Sequence, residues 1–305
     1  LGDKQGMGNS LNNIGNVHWN KGDLDTALDY YGRSLAIREE VGDKYGMGGS
    51  LGNIGIVHSD KGDYEKALDY YGRSLAIQEE LGDKRGMGAS LHNIGLVHAD
   101  KGNYDKALDY HGRSLKIQEE LGDKRGMGYS LNSIGIGHRN KGDYDKALNY
   151  YGRSLTIQEE IGDKRGMGAS LNSIGVVHHE KGDYEKALDC YGRSLAIREE
   201  LDDRLGMGMS LHNIGAVHLN KGDYDKALNY YGRSLRIREE LDDKRGTEQS
   251  LNNIGLVYAV QGDYKKAEEY LEKSLAIQKE IGRVNNLLET TTYLCLTYKH
   301  LGKDY

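Results

Sequence analysis

The chain has 305 residues with 43 Gly, no Pro, no Phe and 23 Tyr, a skew that points to one short unit copied many times rather than to an ordinary domain. Its net charge is -6 with acid and base interleaved, so it lacks the basic footprint of a nucleic-acid binder. No apolar run has the length of a membrane span. Cys190 and Cys295 stand in different copies, where other copies have Tyr or Gly. That argues against a disulfide framework and fits a reducing, cytoplasmic setting.

Gly-Asp-Lys begins at Gly2 and recurs at Gly42, Gly82, Gly122 and Gly162, and Asp202 and Asp242 continue the series. The period is 40 residues, and it sets seven repeats: 1–40, 41–80, 81–120, 121–160, 161–200, 201–240 and 241–280. Each repeat reads as two helices. In the second, Asp43 is placed to cap the first helix, whose apolar residues Met47, Leu51, Ile54 and Val57 share one face. Lys61-Gly62-Asp63 breaks the pattern, with Gly62 suited to a left-handed C-terminal cap. Tyr64, Ala67, Leu68, Tyr71, Ser74, Leu75 and Ile77 then mark the second helix. A single hairpin of this kind cannot bury its apolar face, whereas stacked copies can, which makes the expected fold an all-α solenoid.

The seventh repeat departs from the others: Glu272 fills a slot that holds Gly in repeats one to six, and Glu268 replaces a Leu seen at Leu28 and Leu68. Leu288, Thr291, Leu294, Thr297 and Tyr298 then outline one closing amphipathic helix within 281–305, a lid over the end of the stack. The repeated glycine itself (Gly32, Gly72, Gly112, Gly152, Gly192, Gly232) sits mid-helix, where it serves a close backbone approach or is simply inherited.

Most positions are nearly identical from repeat to repeat, and many that differ recur at spacings of four, three, four and three along the first helix, although the second-helix slot of Ala36 also varies, with Lys116, Thr156 and Arg236. At about 100° per residue those on the first helix form one stripe. Its members include Asn9, Asn12, Asn16 and Trp19 in repeat one, Tyr45 in repeat two, His92 in repeat three, and Tyr129, Asn132 and Arg139 in repeat four. Asn172 and His179 follow in repeat five, Met209 and His212 in repeat six, and Gln249 and Asn252 in repeat seven. Beside the stripe runs a polar ladder of Asn13, Asn53, Asn93, Ser133, Ser173, Asn213 and Asn253. Its amides can hold the backbone of an extended peptide, or they can bond the neighbouring helix.

Leu11, Ile14, Gly15 and His18, followed by Gly22, Ala27, Tyr31 and Ser34, recur in every repeat with few changes. In this spelling the chain resembles the tetratricopeptide repeat family, and its 40-residue period is similar to the longer-helix subgroup of spindle-orientation adaptors and kinesin light chains. The resemblance implies a right-handed superhelix of antiparallel hairpins, with the first helices lining a concave groove. It makes the variable stripe the ligand-reading surface and the Asn ladder the backbone holder. The stripe supplies Arg139 alone at mid-helix, which speaks against the family's basic clamp for a C-terminal carboxylate.

Catalytic and metal chemistry find no support. His18, His58, His98, His138, His178 and His218 form a ladder, but successive rungs lie two packed helices apart, too far to share one ion, and Tyr258 fills the same slot as a packing residue. Gly-Met-Gly lacks the Lys-Ser/Thr ending of a phosphate loop, and the Asp-rich turns lack the ligand pattern of a calcium loop. The expected role is a scaffold for a protein or peptide partner, without cofactor, metal, nucleic acid or membrane. The competing roles are a self-associating structural solenoid and a sensor module of a larger signalling protein.

Overall fold

The computed structural model describes residues 3–282 and 287–302, and every regular element among them is an α-helix. They fall into two compact units, Leu1–Gly162 and Asp163–Tyr305. The first holds repeats one to four as α1 (Lys4–Asn20), α2 (Leu24–Val41), α3 (Lys44–Asp60), α4 (Tyr64–Leu81), α5 (Lys84–Asp100), α6 (Tyr104–Leu121), α7 (Lys124–Asn140) and α8 (Tyr144–Glu160). The second holds α9 (Lys164–Glu180), α10 (Tyr184–Glu200), α11 (Arg204–Asn220), α12 (Tyr224–Glu240), α13 (Lys244–Gln261), α14 (Tyr264–Glu280) and α15 (Leu287–Leu301). Odd-numbered helices through α13 are called A helices below, and even-numbered ones B helices.

The punctuation of the sequence sets these boundaries. The Asp43 carboxylate accepts from Gly46 N at 2.9 Å and so caps α3. Gly62 sits at φ 77° and turns the chain into α4. In repeats six and seven, Asp202 and Asp242 take the positive-φ position that Gly holds in earlier repeats, at 50° and 53°; Asp is among the residues that tolerate it. Asp63 makes no side-chain cap bond to its own helix, and its carboxylate faces His58 Nδ1 at 3.3 Å.

Within each unit the apolar core lies between repeats. Ala27, Tyr31 and Leu35 of α2 pack on Leu51, Ile54 and Val57 of α3, and Ala187 and Tyr191 of α10 pack on Ile214 and Val217 of α11. Inside a repeat the helices approach closely because one residue is glycine: a Cβ at Gly135 would lie 2.6 Å from the Tyr151 ring. The buried Ser154 hydroxyl donates to Gly128 O at 2.8 Å and ties the same two helices together.

The histidine ladder is packing, as its spacing suggests. His58 is buried, and its ring stacks on Tyr70 with centroids 5.4 Å apart. Tyr258 repeats that stack on Tyr270 at 5.6 Å. Repeat three is the exception in its polar contact: Asn103 replaces the usual Asp, and His98 Nδ1 is buried without a partner. Burial pushes the His98 pKa down. Asn103→Asp should restore the carboxylate contact and stabilise the fold by about 1 kcal/mol. An NMR titration should then show the His98 pKa moving up; no movement would mean that the carboxylate does not reach the ring.

The mid-helix glycines are not sites of close approach. A Cβ at Gly32, Gly72, Gly112, Gly152, Gly192 or Gly232 would meet nothing within 4 Å. At the C-terminal end α15 packs on α14 and α13. Thr290, Leu294 and Thr297 are buried, and Tyr298 OH donates to Glu272 Oε1 at 2.7 Å. The Leu288 side chain lies outside the described residues. Both cysteines are free thiols, Cys190 buried and Cys295 exposed.

Candidate functional site

The variable stripe lies on the A helices and much of it is open. Tyr45 is 72% exposed, Tyr129 48% and Met209 43%. Other members are held by their neighbours. Trp19 donates its indole N–H to Asp60 at 2.7 Å, across to the next repeat. Asn9 accepts from Arg38 at 2.8 Å, and Asn16 accepts from Tyr31 OH at 2.7 Å. Arg139 is half-buried and donates to Asn140 at 3.1 Å.

The polar ladder lies beside the stripe, and part of it is spent between rungs. Asn53 donates to Asn12 at 3.0 Å, and Asn213 donates to Asn172 at 3.0 Å. Asn253 meets His212 Nε2 at 3.2 Å. These bonds arise because consecutive A helices within a unit stand side by side, so position 13 of one repeat reaches position 12 of the repeat before it. Each such amide keeps a second N–H and its own carbonyl oxygen for another partner. Asn13 is exposed, and Asn93 is half-buried. The Asn132 carbonyl oxygen is buried without a partner.

The stripe and ladder converge on hollows rather than on a single centre. In the first unit, His92, Asn93 and Tyr129 line a hollow of about 240 Å³ with Arg85, Gln118 and Asp123. Behind His92 lies a second imidazole: the His92 ring tilts against the buried His111 ring with centroids 4.9 Å apart, and the Nδ1 atom of each is buried without a partner. Desolvation lowers the His92 pKa to about 4. Desolvation, with repulsion from His92, lowers that of His111 to about 3. In the second unit, Met209, His212, Asn213, Gln249, Asn252 and Asn253 line a hollow of about 550 Å³ with Leu205, Arg238, Arg245 and Glu248. Here His212 tilts over Tyr231 at 5.2 Å, and burial lowers its pKa to about 4. Asn252 accepts from Thr290 at 3.0 Å. His179, in the same unit, meets Asn220 at 2.8 Å.

The structure adds residues that the stripe does not contain. The slot of Arg38 on the B helices holds Arg in repeats one, five and six and Gln in repeats two, three, four and seven. Arg38, Arg198 and Arg238 are buried, and burial lowers the pKa of each guanidinium. Arg38 and Arg198 donate to Gly46 O and Gly206 O at the start of the next A helix, and Arg238 donates to Gln249 at 3.3 Å. Arg238 and Arg245 line the second-unit hollow together with Asp243 and Glu248, and Arg238 stands 3.9 Å from the Asp243 carboxylate. Glu248, which stands where earlier repeats have Gly, is buried there and accepts from Gln278 at 2.7 Å. Among the described residues no group of three metal-ligating side chains occurs, and no helix is long and apolar enough to cross a membrane.

The model of a protein family described as "Tetratricopeptide repeat" matches residues 6–80, 86–160, 126–200, 166–240 and 206–280. No curated protein matches the sequence. Among solved structures the chain is similar to BtubC (BKLC) from P. vanneervenii at 22% identity and TM-score 0.64, covering 73% of this chain and 93% of that one. It is similar to a Rap protein complexed with Competence and Sporulation Factor at 19% identity and TM-score 0.68, covering 92% and 75%. It is also similar to the nearly identical TPR-like repeats of a putative kinesin light chain from Podosopora anserina, at 17% identity and TM-score 0.53, covering 64% and 95%. At these identities the likeness is one of fold.

Proposed function

From the premise that the chain belongs to the tetratricopeptide repeat family, we propose that it is an interaction scaffold whose A-helix faces hold extended segments of a protein or peptide partner. The observation that carries this reading is the sorting of sequence by face: much of what differs between nearly identical repeats gathers on the A helices and lines the two hollows. The complex of a Rap protein with Competence and Sporulation Factor is a precedent for ligand binding in the same fold. The ladder amides hold the partner's backbone with the N–H and carbonyl groups that their neighbours leave over. Leu205 and Met209, 52% and 43% exposed at the second-unit hollow, receive apolar side chains. Polar or acidic groups of the partner face Arg139.

Peptides selected from a random displayed library against the 305-residue chain provide the test. Tyr129→Ala or Met209→Ala should weaken a selected peptide about tenfold or more, as truncation of a binding anchor does, with unchanged circular dichroism. Arg113→Ala on the B-helix surface serves as the control. Peptides that lose affinity only in the control variant would place the working surface on the B helices and overturn the proposal.

A further inference from the structure

Repeat seven differs from the earlier repeats behind its A helix. The slot of Gly8 holds Gly in repeats one to six and Glu248 in repeat seven. In repeats two and three, where the slot is Gly, the glutamine of the facing B helix turns back on its own helix. Gln78 donates to Ser74 Oγ at 3.0 Å, and Gln118 donates to Ser114 Oγ at 3.1 Å. In repeat seven the Glu248 carboxylate, 1% exposed, accepts from Gln278 Nε2 at 2.7 Å instead. The same NH2 group donates to Thr290 Oγ1 of α15 at 2.8 Å, and Thr290 donates to Asn252 Oδ1 at 3.0 Å. A carboxylate only accepts, an NH2 group only donates and a hydroxyl has one proton, so the chain of bonds runs in one direction. It consumes the Asn252 oxygen and leaves the Asn252 NH2 for the hollow that this residue lines. Gln249 is fixed in the same sense. Arg238 has donors alone and gives one to Gln249 Oε1 at 3.3 Å, which leaves the Gln249 NH2 for the same hollow.

Two uncharged NH2 groups of α13 are thus left over at this hollow, with the carbonyl oxygens that Asn213 and Asn253 keep. Leu205 and Met209 of α11 add apolar surface. Donors, acceptors and apolar surface together match a side-chain carboxamide on its aliphatic stem. Charge separates that ligand from a carboxylate. Arg238 stands 3.9 Å from Asp243, and Arg245 is exposed, where water and salt screen it. Glu248 is buried, where screening is weaker, so an anion in the hollow would meet its repulsion and a carboxamide would not.

We propose that the second-unit hollow selects a glutamine or asparagine side chain of the partner, and that Glu248 and Thr290 are positioning residues that set Asn252 to receive it. This rests on the reading that the A-helix faces bind a peptide. Peptides from the displayed library whose binding falls with Met209→Ala are the probes. Each should contain a Gln or Asn whose replacement by Glu or by Met lowers affinity about tenfold or more, as loss of paired amide hydrogen bonds does. Thr290→Val removes the hydroxyl with little change of shape, and Glu248→Gly returns the spelling of the earlier repeats. Either should weaken the amide-bearing peptide about fivefold or more and leave its Met counterpart unchanged. Thr290→Ser should restore the wild-type value. A Glu peptide that binds as well as the amide-bearing one overturns the proposal. So does a Thr290→Val effect equal on the amide-bearing and Met peptides, which a merely structural role would produce. If selected peptides depend on Tyr129 and none on Met209, this inference fails alone. If none depends on either, it fails together with the reading on which it rests.

Discussion

Lowering the pH from 7 to 4.5 should destabilise repeat three by about 5 kcal/mol, roughly 2.5 kcal/mol for each of His92 and His111. Both rings are held neutral by burial, with folded pKa values of about 4 and about 3 against an ordinary 6.5. The unfolded chain therefore takes up protons below 6.5 while the folded chain does not. Stability is fully present above 6.5 and drains away as the pH falls toward the folded values. The slot of His111 holds Tyr in five other repeats, so His111→Tyr fits without rearrangement and should abolish about half of the acid loss. Urea unfolding at the two pH values, followed by hydrogen exchange in α5 and α6, separates this loss from the titration of exposed carboxylates common to both proteins. Equal acid losses in the two proteins would mean that the imidazoles are not held neutral. His212 adds a loss of the same direction in repeat six.

The repeat three pair shows what was legible in the sequence and what was not. The 40-residue period, the Gly–Asp punctuation and the apolar spacing specify helices, caps and hairpins because each acts within a few residues of the chain. The ladder was harder to read. Whether Asn53 faces a ligand or a neighbour depends on Asn12, 41 residues away, and only the side-by-side placement of A helices brings the two within 3.0 Å. The buried arginines escaped a reading confined to one helix at a time, since Arg238 belongs to α12 but meets Gln249 of α13. A signal was present nonetheless: an Arg-for-Gln exchange at one slot of a largely constant helix marks a position whose surroundings differ among repeats. The imidazole pair carried a similar mark, a histidine in a slot otherwise filled by tyrosine and, once, leucine. The sequence left the mid-helix glycines open between close approach and inheritance, and the structure removes the first alternative.

Replacing Gly32, Gly72, Gly112, Gly152, Gly192 and Gly232 together with Ala should stabilise the chain by about 3–6 kcal/mol, the sum of about 0.5–1 kcal/mol at each site. Every one lies inside a B helix, where glycine costs backbone entropy and contributes no contact. At each, an added Cβ would enter open space, so no packing term opposes the gain. Glu272 already places a long side chain in the same slot of α14. The sites are 40 residues apart in separate hairpins and share no neighbours, so their effects should add. Urea unfolding of the six-fold variant should show a higher midpoint with the slope unchanged. Peptide affinity should stay at the wild-type value, because none of the six lies on an A helix. A lowered midpoint would mean that this row is covered in the working assembly by something that requires the bare backbone, and it would move attention from the A-helix face to the B helices.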